Sequence, residues 1–71
     1  MTHSEKEGFV LSFLASSTDN FALCRRLGVS HARLCRWYRG SEELDRQSLD
    51  RFLTVLGVDK ADFEFLVSQV A

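Results

Sequence analysis

The chain has no proline, only two cysteines, and no apolar run that approaches the roughly 18 residues of a membrane span. The lack of proline excludes a proline-rich linker, and no Gly/Ser-rich or low-complexity stretch takes its place. Two cysteines are too few for a disulfide framework, and the N-terminal residues lack the basic start and cleavage site of a signal peptide. These absences predict a cytoplasmic protein that contacts no membrane.

The length and the total charge of the chain further restrict the class of protein to which it can belong. With 71 residues, the chain has room for one domain, residues 1–71, and for a small core. A hydrophobic fraction of 45% and a net charge of −1 exclude intrinsic disorder. Taken as a total, that charge also argues against a nucleic-acid partner.

The charge is unevenly distributed along the chain. Residues 20–41, which we call the arginine segment, contain five arginines and no acidic residue, a local balance of +5. The remainder carries −6 because all ten acidic residues lie there. Such an asymmetry is typical either of an anion-binding surface or of a solvated pair of arginine-rich helices.

Apolar residues recur at helical spacing throughout the chain, and no segment alternates with period two. We therefore predict an all-α protein of five helices. Ser4 and Glu7 match an S-x-x-E capping box that would open a first helix over about residues 4–16. The predicted core-facing residues of this helix are Phe9, Val10, Phe13 and Leu14.

Glycines and capping residues divide the rest of the chain. A second helix is predicted over Asn20–Leu27, ended by Gly28, and a third over His31–Arg39, ended by Gly40. Residues 41–44 are predicted to form a loop before two further helices. The predicted N-caps of helices two to five are Thr18 or Asp19, Ser30, Asp45 and Asp59, and Gly57 ends the fourth helix. The predicted core-facing residues are Leu23, Leu27, Leu34, Trp37, Leu49, Phe52, Leu53, Leu56, Phe63, Leu66, Val67 and Val70.

Residues 21–40 combine several features of a helix–turn–helix. Two short helices meet at Gly28, and the small Cys24 lies four residues earlier, where crossed helices come close. Val29 is predicted to fill the angle between the helices, while Leu34 points back onto the second helix. This arrangement leaves the other side of the third helix free.

These residues resemble the lambda-repressor-like superfamily of Cro- and Xre-type regulators, whose pattern is roughly L-A-x-x-L-G-V-S-x-x-x-I-S-R-x-x-x-G. Residues 23–30 read L-C-R-R-L-G-V-S, followed by L-C-R at 34–36 and by Gly40. Leu49 stands nine residues after that glycine, as in the family, and L-G-V at 56–58 matches the end of the family's fourth helix. The resemblance covers nearly the whole chain and implies a compact five-helix domain with its helix–turn–helix at helices 2 and 3.

The resemblance also implies a function, that of a small sequence-specific DNA-binding repressor from a phage or mobile element. Its third helix would lie in the major groove, with base edges read by His31, Ala32, Arg33 and Arg36. DNA phosphates would be bound by Asn20, Arg25, Arg26 and Arg39. Helix five of the family often forms a two-fold dimer. Phe65 falls off the apolar stripe of this helix and is the predicted interface residue of a homodimer on a palindromic operator.

Departures from the family pattern leave a second function open. Cys24 stands where the family often has Ala, and Leu44 where it often has Pro. The loop after the third helix is commonly basic in the family but here contains Glu42 and Glu43, so we expect it to point away from DNA or the footprint to be smaller. The alternative is a helix–turn–helix scaffold that binds a protein and inhibits or modulates another regulator.

Other chemistry has little support in the sequence. His31 and Cys35 are spaced i, i+4, but no C-x-x-C or H-x-x-x-H pair accompanies them, so we predict no metal site. No Ser/His/acid arrangement is apparent, and we predict that the protein is not an enzyme and uses no cofactor. Trp37 is predicted to belong to the core, and Tyr38 to be a partly exposed flank.

Overall fold

The computed structural model describes all 71 residues of the chain. It consists of five α-helices and contains no strands. The helices are α1 (His3–Leu14), α2 (Asn20–Leu27), α3 (His31–Arg39), α4 (Arg46–Leu56) and α5 (Lys60–Ser68). The prediction of an all-α chain with five helices is confirmed, and only α1 is displaced from its predicted bounds. None of the helices has the length and apolar content that a membrane span requires.

The bounds of α2 and α3 agree with the sequence prediction because each helix begins after a capping residue and ends at a glycine. Oδ1 of Asp19 accepts a hydrogen bond from the N–H of Phe21 at 3.0 Å and caps α2. The hydroxyl of Ser30 accepts one from the N–H of Arg33 at 3.1 Å and caps α3. Gly28 ends α2 with a left-handed φ of 72°, which glycine adopts at little cost. Residues 28–30 therefore form a short turn between the two helices.

The start of α1 differs from the prediction. Its capping box is formed by Thr2 and Glu5, not by Ser4 and Glu7. The hydroxyl of Thr2 accepts a hydrogen bond from the N–H of Glu5 at 3.1 Å, and Oε1 of Glu5 accepts one from the N–H of Thr2 at 2.7 Å. These bonds to Thr2 hold the pKa of the Glu5 carboxyl below its usual value of 4.5.

The buried side of α1 also differs from the prediction. Phe9 and Phe13, predicted in the core, are 53% and 66% exposed, whereas Leu11 is fully buried. The cause is the close approach of Gly8 to α3, where a Cβ on Gly8 would lie 2.2 Å from the carbonyl oxygen of Trp37. This contact between main chains fixes the rotation of α1 and turns the two phenylalanines toward solvent.

The core lies at the centre of the helices and is built around one tryptophan. Its largest fully buried side chains are Trp37, Phe52, Phe63, Leu11, Leu23 and Leu34. The rings of Trp37 and Phe52 are 6.1 Å apart and tilted by 51°, a favourable aromatic arrangement. Nε1 of Trp37 is buried without a hydrogen-bond acceptor, a loss of about 1–3 kcal/mol that the packing of the ring offsets. The predicted core position of Trp37 is confirmed.

The remaining predicted core residues are buried or lie at the edge of the core. Leu27, Leu49, Leu53 and Val67 are buried, and so is Cys24, the small residue between the crossed helices. Leu14, Leu56, Leu66 and Val70 are half-buried and pack against the core, as does Val29 after the turn. Asp45 and Asp59 occupy the N-cap positions of α4 and α5 without a side-chain capping bond.

The packing of the helices determines which side of α3 stays accessible. α1 lies along α3 and also contacts α5, while α2 packs against α3 and α4. The loop 41–44 is anchored at its far end by Leu44, which is buried. Leu34 and Trp37 face inward, so the opposite side of α3 faces solvent.

Candidate nucleic-acid interface

The side of α3 that faces solvent carries the residues predicted to read bases. Five exposed residues form what we call the outer face of α3: His31, Ala32, Arg33, Arg36 and Arg39. Polar and exposed residues alternate with the buried Leu34 and Trp37 at the period of an α-helix. The sequence pattern therefore gives α3 one apolar side toward the core and one polar side toward solvent. The structure therefore brings the four base-reading candidates together on one accessible surface.

Glu42 joins two arginines of this outer face. Its Oε2 accepts a hydrogen bond from Nε of Arg33 at 2.7 Å, and its Oε1 accepts one from Nε of Arg36 at 2.9 Å. These two hydrogen bonds hold the pKa of the Glu42 carboxyl below its usual value of 4.5. Glu42 therefore lies against α3, because the charge of the two guanidinium groups attracts its carboxylate. Whether the loop points away from DNA or the footprint is smaller stays a prediction.

Arg33 has a second contact that restricts its side chain. Its guanidinium carbon lies 5.2 Å from the centroid of the Trp37 ring, within the range of a cation–π interaction. Because Trp37 is itself fixed in the core, Arg33 is held between a rigid ring and the carboxylate of Glu42. The two contacts restrict the directions in which the guanidinium group of Arg33 can point.

A polar pair lies at the start of α2. The hydroxyl of Tyr38 donates a hydrogen bond of 3.3 Å to Oδ1 of Asn20, the first residue of α2, and both side chains are half-buried. Burial raises the pKa of Tyr38 to about 12, and repulsion from the Cys24 and Cys35 thiolates adds to the shift. The phenol is therefore protonated at neutral pH and serves as a donor. The predicted partial exposure of Tyr38 is confirmed, and Asn20 lies where a helix N-terminus presents free N–H groups.

The other predicted phosphate ligands are exposed arginines. Arg25, Arg26 and Arg39 reach solvent, and none forms an ion pair within the chain. Arg25 and Arg26 lie in the last turn of α2, where a cation also stabilises the helix dipole. These three charges are available to an external anion, in contrast to Arg33 and Arg36.

Phe21 is a residue of this surface that the sequence analysis did not assign. It is 64% exposed, and its ring stacks on His31 with centroids 5.1 Å apart and planes inclined by 20°. A signal was present, because Phe21 falls off the stripe of Leu23 and Leu27 that faces the core. His31 also lies close to a cysteine, with its Nδ1 3.8 Å from Sγ of Cys35. No third metal-binding side chain lies near enough to complete a metal site with these two residues.

No protein-family model, curated protein or solved structure matches the chain. The resemblance to the lambda-repressor-like superfamily is therefore a prediction that depends on the residues of the α2–α3 unit.

Two surface features lie outside the arginine segment. Phe65 on α5 is 63% exposed, while Phe63 and Val67 of the same helix are buried. A groove of about 710 Å³ lies between the start of α1, residues 43–46 and α5. Charges of both signs line this groove, and no arginine of the arginine segment reaches it. The strongest concentration of one charge thus remains on α2 and α3.

Proposed function

We propose that the protein is a small sequence-specific DNA-binding transcriptional regulator of the lambda-repressor-like helix–turn–helix type, acting as a repressor in the cytoplasm. The observation that supports this proposal is the outer face of α3, where Arg33 and Arg36 are exposed side by side within a segment that has no acidic residue. An α-helix fits the major groove, and guanidinium groups match O6 and N7 of guanine.

Each residue of the outer face has a role in this proposal. Arg33 and Arg36 read guanines, Ala32 contacts a thymine methyl group, and His31 reads a base edge at the start of the helix. Asn20, at the N-terminus of α2, binds a phosphate, and the unpaired Arg25, Arg26 and Arg39 bind others. Each bidentate guanine contact would contribute about 1–3 kcal/mol of discrimination against a wrong base.

The proposed regulator acts as a homodimer through α5. Phe65 supports this part because it is a large apolar side chain on the solvent side of a helix whose inner side is already packed. A two-fold dimer places two copies of α3 about one DNA turn apart and matches a palindromic operator.

In vitro selection from a pool of random DNA duplexes tests the proposal. We expect the wild-type protein to enrich a palindromic consensus that contains guanines, with an affinity that falls steeply as salt concentration rises. With Arg33→Ala or Arg36→Ala, the selection should no longer enrich one of the guanines of the consensus. Each variant should bind the wild-type consensus duplex about 5- to 150-fold more weakly than wild type does. Arg46→Ala removes the same charge from an exposed position on α4 and is the matched control. Enrichment of no consensus, or binding that is insensitive to salt, would contradict the proposal.

A protein-binding module that modulates another regulator is the second candidate function. Two observations favour it: Glu42 neutralises part of the charge on α3, and Phe9 and Phe13 lie exposed one helical turn apart on α1. This function predicts no DNA binding at low salt and a stoichiometric complex with one regulator, which Phe9→Ser should disrupt. The outer face of α3 would then be dispensable.

A further inference from the structure

We propose that Glu42 determines the specificity of the DNA site: its carboxylate positions Arg33 and Arg36 toward the bases and reduces their attraction to phosphate. This inference rests on the proposed DNA-binding function. It assigns a role to an acidic residue in a place where a negative charge would ordinarily weaken binding to DNA.

The loop that carries Glu42 is fixed at both ends. The N–H of Ser41 donates a hydrogen bond of 3.0 Å to the carbonyl oxygen of Arg36, which closes the last turn of α3 beyond Gly40. The hydroxyl of Ser41 contacts the same oxygen at 3.3 Å. At the other end, Leu44 is buried in the core. Glu42 lies between these two anchors, so its position over α3 follows from the path of the main chain.

The hydrogen bonds of Glu42 use only one donor of each arginine. Both bonds come from Nε, and no Nη atom of Arg33 or Arg36 donates to an acceptor within the protein. A guanidinium group carries five N–H donors in a rigid fork, so the terminal donors of each arginine stay free. Nε is held by the carboxylate, while 45% of each arginine side chain stays exposed to solvent. Two terminal amines of an exposed guanidinium group suffice for the bidentate contact with guanine.

The charge balance of the three side chains favours bases over phosphates. Two guanidinium groups share one carboxylate, so the cluster carries +1 where two free arginines would carry +2. Sequence-independent affinity depends on the number of phosphates neutralised and is therefore reduced. Hydrogen bonds to base edges depend on the positions of the donors, which the carboxylate fixes. Glu42 thus lowers non-specific binding while it preserves specific binding.

Paired variants of adjacent glutamates test this role. Glu42→Gln keeps the shape of the side chain but removes the charge that both Nε atoms share. Glu43→Gln removes the same charge from an exposed neighbour that forms no ion pair or hydrogen bond. Affinities of both variants and of wild type are measured for the duplex that wild type enriches from a random pool and for a scrambled duplex of equal composition.

For Glu42→Gln we expect tighter binding to the scrambled duplex and no tighter binding to the selected one. The ratio of the two affinities should fall at least about fivefold, the lower end of one guanine contact. The salt dependence on scrambled DNA should also steepen, by about 0.9 in the log–log slope for each phosphate newly neutralised. Glu43→Gln should leave the ratio unchanged. In the free proteins, NMR should show two Arg Nε–H signals protected from exchange in wild type and at least one of them lost in Glu42→Gln, because the amide has one acceptor oxygen where the carboxylate has two.

The possible failures are distinguishable. If Glu42→Gln raises both affinities by the same factor, as a general charge effect would, the positioning role is wrong while DNA binding stands. Wild-type arginine Nε–H groups that exchange as fast as those of a free side chain would also overturn it. If wild type does not prefer its selected duplex, the proposed function itself fails, and the role of Glu42 fails with it.

Discussion

The hydroxyl of Tyr38 donates a hydrogen bond of 3.3 Å to Oδ1 of Asn20 and thereby links the last turn of α3 to the first residue of α2. These two residues lie at the ends of the α2–α3 unit that are farthest along the chain from the turn at Gly28. The helix pair is therefore closed at both ends, by a covalent turn on one side and by this bond on the other. A fixed angle between the helices is what a rigid recognition surface requires.

We expect the phenol of Tyr38 to titrate near pH 12 in the folded protein and near its ordinary pKa of 10 in denaturant. Because Tyr38 is the only tyrosine, the change of tyrosine ultraviolet absorbance with pH reports the ionisation of this phenol alone. A folded-state pKa above the unfolded one contributes stability that is complete below pH 10 and is lost as pH rises toward 12. Circular dichroism at each pH confirms that the chain is folded. A midpoint near pH 10 with full helix content would mean that the phenol is not desolvated.

Gly8→Ala should destabilise the protein although alanine favours helices. The new Cβ would meet the carbonyl oxygens of Trp37 at 2.2 Å and Tyr38 at 2.6 Å, and main-chain atoms cannot rotate aside. Overpacking costs about 1–3 kcal/mol, here at the upper end or beyond, against a gain of about 1 kcal/mol in helix propensity. We expect a net loss of about 2 kcal/mol in the free energy of unfolding in urea.

Ser12→Ala is the matched control for that substitution, because it introduces alanine into the same helix at a half-exposed position. Its hydroxyl bonds only to the carbonyl oxygen of Phe9 in the preceding turn. The variant should stay within about 0.5 kcal/mol of wild type. Equal effects of the two variants would show that α1 does not approach α3 through Gly8.

The Glu42 ion pairs should make the protein more sensitive to acid. The pKa of Glu42 is lowered by its hydrogen bonds to Arg33 and Arg36. Its contribution to stability is thus complete above the ordinary pKa of 4.5 and is lost as pH falls through the lower folded-state value. Melting temperatures from pH 7 to pH 3 should therefore fall less for Glu42→Gln than for wild type. Glu43→Gln should keep the acid dependence of wild type, and parallel curves for all three proteins would contradict the ion pairs.

Phe65→Asp should convert a dimer into a folded monomer. The side chain is 63% exposed, so the substitution leaves the core intact while it places a charge in the proposed interface. Light scattering should give twice the chain mass of 8.1 kDa for wild type and the single mass for the variant. Phe9→Asp, the same change at an exposed phenylalanine of α1, is the control and should remain dimeric. A monomeric wild type would contradict the proposed dimer. If only Phe9→Asp dissociates the dimer, the interface is formed by α1 and not by α5.

The sequence predicts four of the five helices well because their ends carry local signals. Glycines with positive φ end α2, α3 and α4, and the residues at the N-cap positions are those predicted. α1 offers no such distinction. Thr2 and Ser4 are each followed three residues later by a glutamate, so both match the capping box. Only the folded structure shows that Thr2 forms it.

The face that α1 buries was unpredictable for a related reason. Apolar residues occur on most sides of this helix, so periodicity does not distinguish Leu11, which is buried, from Phe9 and Phe13, which are not. The contact of Gly8 with the main chain of α3 decides the rotation, and such a contact leaves no periodic pattern. Likewise, the bond between Glu42 and Arg33 joins residues nine positions apart through a loop whose path no local rule fixes.

The main-chain contact between α1 and α3 has a consequence for engineering. α3 is held against its neighbour by carbonyl groups beside Gly8, and toward the core by Leu34 and Trp37. Of the outer face, Arg33 contacts the ring of Trp37, and Arg33 and Arg36 are paired with Glu42. The exposed His31, Ala32 and Arg39 take part in neither attachment, so a library can randomise these three positions at little risk to folding while the rest of the chain stays constant.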